Sequence, residues 1–179
     1  MAETLEFHPA ATAGHLLAEP VREAIAALPP GPRDSVLVAE IDPASAGGVE
    51  FCDRYGFDYD EGANCVLVEG SRAGRSVRAA CVIRPGTRTD LNGFVRRHLG
   101  MRRVTLIPRE VAVEATGMEY GSMTAIGLPD DWRVLVDSRI AAAPRVVVGS
   151  GRVRSKLCLP GEVLLGLSRG ESLVGLAVG

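Results

Sequence analysis

The side chains able to serve as nucleophiles, bases or metal ligands are few and scattered. Cysteines stand at 52, 65, 81 and 158, histidines at 8, 15 and 98, and Lys156 is the only lysine. No two cysteines form a CxxC pair, and no cluster has the spacing of a four-ligand zinc site, so no metal is expected. The serine-hydrolase elbow GxSxG, the zinc motif HExxH, the Walker loop and the dinucleotide fingerprint GxGxxG are all missing. His98 follows Arg96-Arg97 and reads as a solvated or helix-end histidine. Asp137 ends the apolar run RVLV, where a carboxylate usually caps the next turn and less often borders a site. What remains is GMEYGSMTAIGLPDDW, residues 117–132, with Gly117, Gly121 and Gly127 and two small hydroxyl residues, Ser122 and Thr124. On composition alone it is a tightly packed loop. Its alternative chemistry lies in its backbone, whose N–H groups can hold a carbonyl oxygen and stabilise the charge that develops on it.

Such a loop needs a rigid frame, and the chain is long enough to supply one. Its 179 residues suit a single domain, and 46% hydrophobic against 23% charged residues is a folded, water-facing profile. Aromatics make up only 4%, so Val, Leu, Ile and Ala must fill the core. A net charge of −2 provides no global attraction for nucleic acid, leaving only local patches. The opening MAETLEFHPA is acidic and lacks an apolar signal core, and no apolar run reaches membrane-span length. With unpaired cysteines, this predicts a cytoplasmic protein without a membrane partner.

Several elements are predicted from pattern. Residues 10–28 read as helix in two pieces, the second opened by Pro20 and ended by PPGP at 29–32. SVLVAEI (35–41) is a buried strand, followed by a helix from Asp42-Pro43 to Gly56. NCVLVEG and SVRAACVIRP form an antiparallel hairpin. TDLNGFVRRHLG is a helix, RRVTLI a strand and PREVAVEATG a helix stopped by Gly117. RVLVDS, PRVVVGSG and SKLCLP are strands, PGEVLLGL is a short helix, and SLVGLAV is a last strand or tail. Strands in hairpins with singly inserted helices give an α+β fold, a mixed and partly closed barrel-like sheet flanked by helices.

TGMEYGSMTAIGLPDDWRVLVDSRI resembles the YbaK family of aminoacyl-tRNA deacylases, related to the editing domain inserted in bacterial prolyl-tRNA synthetases. That family carries a glycine-rich G-x-x-x-P loop followed by a strand ending in Asp. Here the loop is Gly121-Ser122-Met123-Thr124-Ala125, with Asp137 at the strand end. VIRPGTRTDLNGFVRRHLG, TLIPREVAVEATG and GSGRVRSKLCLPGEVL follow the family's order, so the resemblance covers roughly 35–168 of a single-domain chain, 1–179. It implies hydrolysis of the ester joining a wrong, small amino acid to a tRNA 3′ end, without a cofactor. It assigns backbone catalytic roles to Gly121, Ser122, Met123 and Thr124. Substrate contacts fall to Asn64, Ala125, Asp137, Gly149 and Ser150. The implied partners are the acceptor end of mischarged tRNA and an aminoacyl-tRNA synthetase.

Two positions depart from that pattern. Ala125 replaces the family proline, which loses backbone stiffness. Asn64 stands where active members carry a lysine, which keeps hydrogen bonding but loses charge. Lys156, in another strand, reads as a surface residue. A second reading therefore stands beside hydrolysis: a non-catalytic module that binds tRNA, a synthetase or a small ligand. Arg96, Arg97, Arg102 and Arg103 surround one helix end, which fits either helix-dipole placement or phosphate contact.

Overall fold

Proline, glycine and β-branched residues punctuate the chain into short elements, described by a computed structural model for residues 2–179. The first are β1 (His8–Pro9), α1 (Glu19–Ala27), α2 (Pro30–Asp34), β2 (Leu37–Glu40) and α3 (Gly48–Tyr55). The hairpin β3 (Asn64–Arg72) and β4 (Arg75–Ile83) follows, then β5 (Arg88–Thr89), α4 (Arg96–His98), β6 (Arg103–Leu106) and α5 (Arg109–Thr116). After the glycine-rich loop come β7 (Arg133–Asp137), α6 (Ser138–Ala141), β8 (Val146–Gly149) and β9 (Ser155–Leu159). The chain closes with α7 (Glu162–Leu165), β10 (Gly170–Leu173) and β11 (Ala177–Val178).

Two sheets carry the fold. One is four-stranded and wholly antiparallel, in the order β1-β2-β9-β8. The other is five-stranded and mixed, in the order β10-β7-β4-β3-β6, with β4 and β10 parallel to β7. They meet where β3 begins: Gly62 bridges Val147 of β8, and the Ala63 N–H donates to the Val147 carbonyl at 2.9 Å. The sheet thus curls from β3 into β8 without closing into a barrel, which agrees with the mixed, partly closed sheet predicted. The main core packs Val38, Val82, Val136, Val148 and Leu157 against Val21 and Ile25 of α1. Trp132 belongs to this core, whereas Phe7, Phe51, Tyr55 and Phe57 gather elsewhere: Phe51 lies 5.1 Å from both Tyr55 and Phe57 and seats α3 on the antiparallel sheet.

Three local expectations need adjustment. Residues 10–18 give only a 3-10 turn at Gly14–Leu16. The Leu16 and Leu17 carbonyls accept from Ser155 Oγ and Arg152 Nε, so they are not free for helical amides. PPGP does lie beyond the end of α1, but Pro30 then starts α2, because a proline at the first helical position sacrifices no hydrogen bond. The helix around 91–98 opens as a π turn at Leu91–Val95, with the Asp90 carboxylate accepting from the Gly93 and Phe94 N–H groups.

Candidate active site

A cavity of about 380 Å³ opens where the two sheets meet. The beginning of β3 gives it Asn64 and Cys65, and the approach to α3 gives Ala46 and Gly47. Tyr120, Gly121, Ser122 and Met123 form another wall, Gly149 of β8 and Lys156 of β9 add to it, and Val66, Leu67, Leu106, Ile107 and Ala112 give an apolar side. Five of the sequence-predicted positions, Asn64, Gly121, Ser122, Met123 and Gly149, therefore share one hollow.

The loop is held by many fixed points. Gly121 has φ +97°, a conformation that a side chain would strain. The Glu119 N–H donates to the Gly151 carbonyl at 2.9 Å, and its carboxylate accepts from the Val153 N–H at 2.7 Å. Ser122 is fully engaged in structure. Its N–H donates to the Glu119 carbonyl, its carbonyl accepts from Gly151 at 2.8 Å, and its Oγ accepts from the Ser150 N–H. Gly149 lies flush against this backbone, and a Cβ there would overlap the carbonyl oxygens of Ser122 and Met123. Both carbonyls thus point at β8. In a trans peptide the C=O and the next N–H point in opposite directions, so the Met123 and Thr124 N–H groups point away from β8. Neither donates to another group of the protein among the described residues.

Asn64 packs its amide against Gly48 at the start of α3 and makes no side-chain hydrogen bond among the described residues. Lys156 is not the surface residue that its lone charge suggested. It sits in β9 between Ala39 of β2 and Gly149 of β8, is only 4% exposed, and lines the cavity. Its ammonium lies 5.7 Å from the centre of the Phe51 ring. Burial draws it down to about 8, with the neighbouring Cys52 thiol acting weakly in the opposite sense. Burial also pushes the Cys52 thiol up to about 11 and raises Cys65, so neither is an activated thiolate.

Other predicted positions lie outside this hollow. Thr124 is buried with its hydroxyl unpaired, and Ala125 belongs to the core and to a separate cleft near Trp132. Ser150 is wholly buried, with its Oγ bonded to Ser155 Oγ at 2.8 Å. The Asp137 carboxylate accepts from the Arg139 N–H at 2.9 Å and caps α6. Replacing Asp137 with alanine should cost about 1 kcal/mol, or roughly 2–4 °C in Tm, while leaving the cavity's chemistry in place. Thermal unfolding beside an activity assay checks both halves. His98 meets Glu171 at 3.0 Å, beside Arg133, with no cysteine partner. The four arginines divide: Arg96 bonds the Asn92 carbonyl and Arg97 is exposed on α4, whereas exposed Arg102 and Arg103 share a shallow hollow with Arg72 and Arg75. Tyr120 was not singled out from sequence. It is 54% exposed at the cavity rim, with the Arg109 guanidinium 5.0 Å from its ring centre.

The two-sheet α+β frame has counterparts among solved structures. A hypothetical protein, APE2540, superposes with a TM-score of 0.74 at 20% identity, covering 89% of this chain and all of that one. A candidate trans-editing enzyme for prolyl tRNA synthetase superposes with a TM-score of 0.74 at 19% identity, covering 91% of this chain and 99% of its own. At such identities the likeness carries the fold. The chain belongs to the aminoacyl-tRNA editing domain family, whose pattern it matches over residues 43–167. No curated protein matches the chain. Among the described residues no helix is long and apolar enough to cross a membrane.

Proposed function

We propose that this domain edits in trans, hydrolysing the ester between a small, wrongly attached amino acid and the 3′ end of a tRNA. One observation carries the reading: in an editing-family chain Asn64, Gly121, Ser122, Met123 and Gly149 surround one cavity, and the N–H groups of Gly121 and Met123 on its wall donate to no other described residue. An aminoacyl ester is already activated, so no side-chain nucleophile is required. Water adds to the acyl carbon, and the carbonyl oxygen gathers negative charge. The Gly121 and Met123 N–H groups on the cavity wall are free donors for that charge, each worth roughly 3–4 kcal/mol when well aimed. The C–O bond to the ribose then breaks, the ribose oxygen takes the proton, and free amino acid and tRNA result. Asn64 offers both a donor and an acceptor to the acyl end. Tyr120, flat and exposed at the rim, supplies a surface on which the terminal base can stack.

The acceptor stem is assigned to the basic end of the β3–β4 hairpin. Asn64 and Arg72 lie eight residues apart on one strand, about 26 Å at a strand's rise per residue. Arg72, Arg75, Arg102 and Arg103 gather at that far end, and the hollow they line contains no acidic residue. Replacing Arg102 and Arg103 with alanine should lower tRNA affinity without changing acyl preference. It should also reduce the salt slope of binding by about 1.5–2, close to one unit per lost phosphate contact. A titration across salt concentrations measures this. The editing reading itself is tested by presenting wild type with a panel of mischarged tRNAs. Cleavage of at least one small aminoacyl ester supports it, whereas tRNA binding with every ester left intact leaves only the non-catalytic module.

A further inference from the structure

Lys156 is the feature that neither packing nor the loop mechanism explains. Burying an ammonium is costly unless a carboxylate or several acceptors receive it. Here no carboxylate lies within ion-pair distance among the described residues, where every ion pair involves an arginine or histidine. Its neighbours are Ala39 on β2, Gly149 on β8, Phe51 and Cys52 on α3, and Asn64 across the cavity. Only Cys52 among them titrates, and it stays a neutral thiol through the physiological range. A stabilised fold would fill this place with methionine or leucine. The cavity instead holds one uncompensated cation, no acid in its lining, and an open mouth.

We infer that Lys156 is the substrate-binding cation of the cavity, taking an anionic oxygen of the aminoacyl-adenosine end from the wall next to the glycine-rich loop. The inference rests on the editing reading. It also accounts for a cavity that works with Asn64 in β3: the positive charge enters from β9 instead. Two oxygens have the required chemistry, the carbonyl oxygen that becomes negative during hydrolysis and the phosphodiester of the terminal nucleotide.

The chain's single lysine makes a direct test available. Protein grown with [13Cε]lysine gives one side-chain resonance. It is followed against pH and on addition of 3′-aminoacylamido-3′-deoxyadenosine, the amide analogue of the ester. The acyl group is that of the ester cleaved fastest, or glycyl, alanyl and seryl in turn if none is cleaved. In parallel, wild type and Lys156→Met are assayed on the aminoacyl-adenosine ester, which lacks the phosphate, and on the full aminoacyl-minihelix. The resonance is expected to move with the analogue or with a CCA-ended minihelix, and kcat/KM of Lys156→Met to fall about 100-fold or more, with Tm unchanged or raised.

A loss on both substrates assigns the carbonyl oxygen, and a loss on the minihelix alone assigns the phosphate. The wild-type enzymatic rate should decline above about pH 8, where the ammonium deprotonates. Stability should instead rise from there toward pH 10.5, because the unfolded lysine holds its proton longer than the folded one. Lys156→Met within threefold of wild type on both substrates overturns the inference while leaving editing intact. So does a loss of rate with a resonance that neither ligand moves, which marks a purely structural lysine. Inactive wild type with a moving resonance keeps the binding role and removes hydrolysis. Inactive wild type with a still resonance removes both.

Discussion

Gly149→Ala is expected to lower kcat/KM for ester cleavage by at least about 100-fold and to cost about 1–3 kcal/mol of stability. The added methyl meets backbone, the Ser122 and Met123 carbonyl oxygens, and no rotamer change can clear it. The loop cannot simply swing aside, since Glu119 and Ser122 fasten it to residues 150–153 at four points. Either the loop lifts from β8 and misplaces its N–H donors, or β8 is pushed out of its pairing with β9. Both routes damage positioning, and misplacement of about 1 Å is enough to cost 100-fold in rate. Gly31→Ala is the matched control, because a Cβ there meets nothing within 4 Å. Deacylation kinetics and thermal unfolding of the two variants decide the matter. A Gly149→Ala enzyme with normal rate would show that the loop's contact with β8 does not set the chemistry.

Gly121→Pro is expected to abolish measurable cleavage while the domain still folds. Proline fixes φ near −65°, whereas Gly121 sits at +97°. The residue is exposed, and the nearest atom to its virtual Cβ is Val153 Cγ1 at 3.7 Å, so the penalty is conformational rather than steric. The loop must adopt a new path at residue 121, which loses its own N–H to proline, and the free Met123 N–H moves with it. Gly121→Ala, which keeps some access to positive φ, should cost about 1 kcal/mol and retain partial activity. Circular dichroism confirms folding, and the order of rates, glycine above alanine above proline, is the expected signature.

Much of this arrangement could be read from residue types. β-branched runs located the strands, the hairpin spacing gave β3 and β4 their antiparallel pairing, and Gly56 and Gly117 end α3 and α5 in left-handed conformation. The likeness of the 117–137 segment to editing enzymes selected Gly121 to Met123 as cavity residues, although composition alone suggested only tight packing. Lys156 was misjudged for a physical reason. A solitary lysine is normally solvated, but SKLCL is buried at all five positions because β9 lies between β2 and β8. A charged residue inside a run that a central strand would bury was the available signal. Thr124 and Ala125 follow the loop in sequence but turn into the core, a direction set by tertiary packing that local pattern does not encode. Tyr120 was hidden by its company: glycines and small residues marked the segment as a loop, and a single aromatic gave no sign of standing at a rim.

We propose that the cavity between the two sheets hydrolyses aminoacyl-tRNA esters with the backbone donors of its glycine-rich loop. The most direct measurement is the release of labelled amino acid from mischarged tRNAs bearing small side chains, with purified wild type in catalytic amounts and Gly121→Pro alongside. Release by wild type at many turnovers per molecule, on at least one ester, with only background release by Gly121→Pro, is the predicted result. Equal release by the two proteins, or none by wild type on any ester, would contradict it.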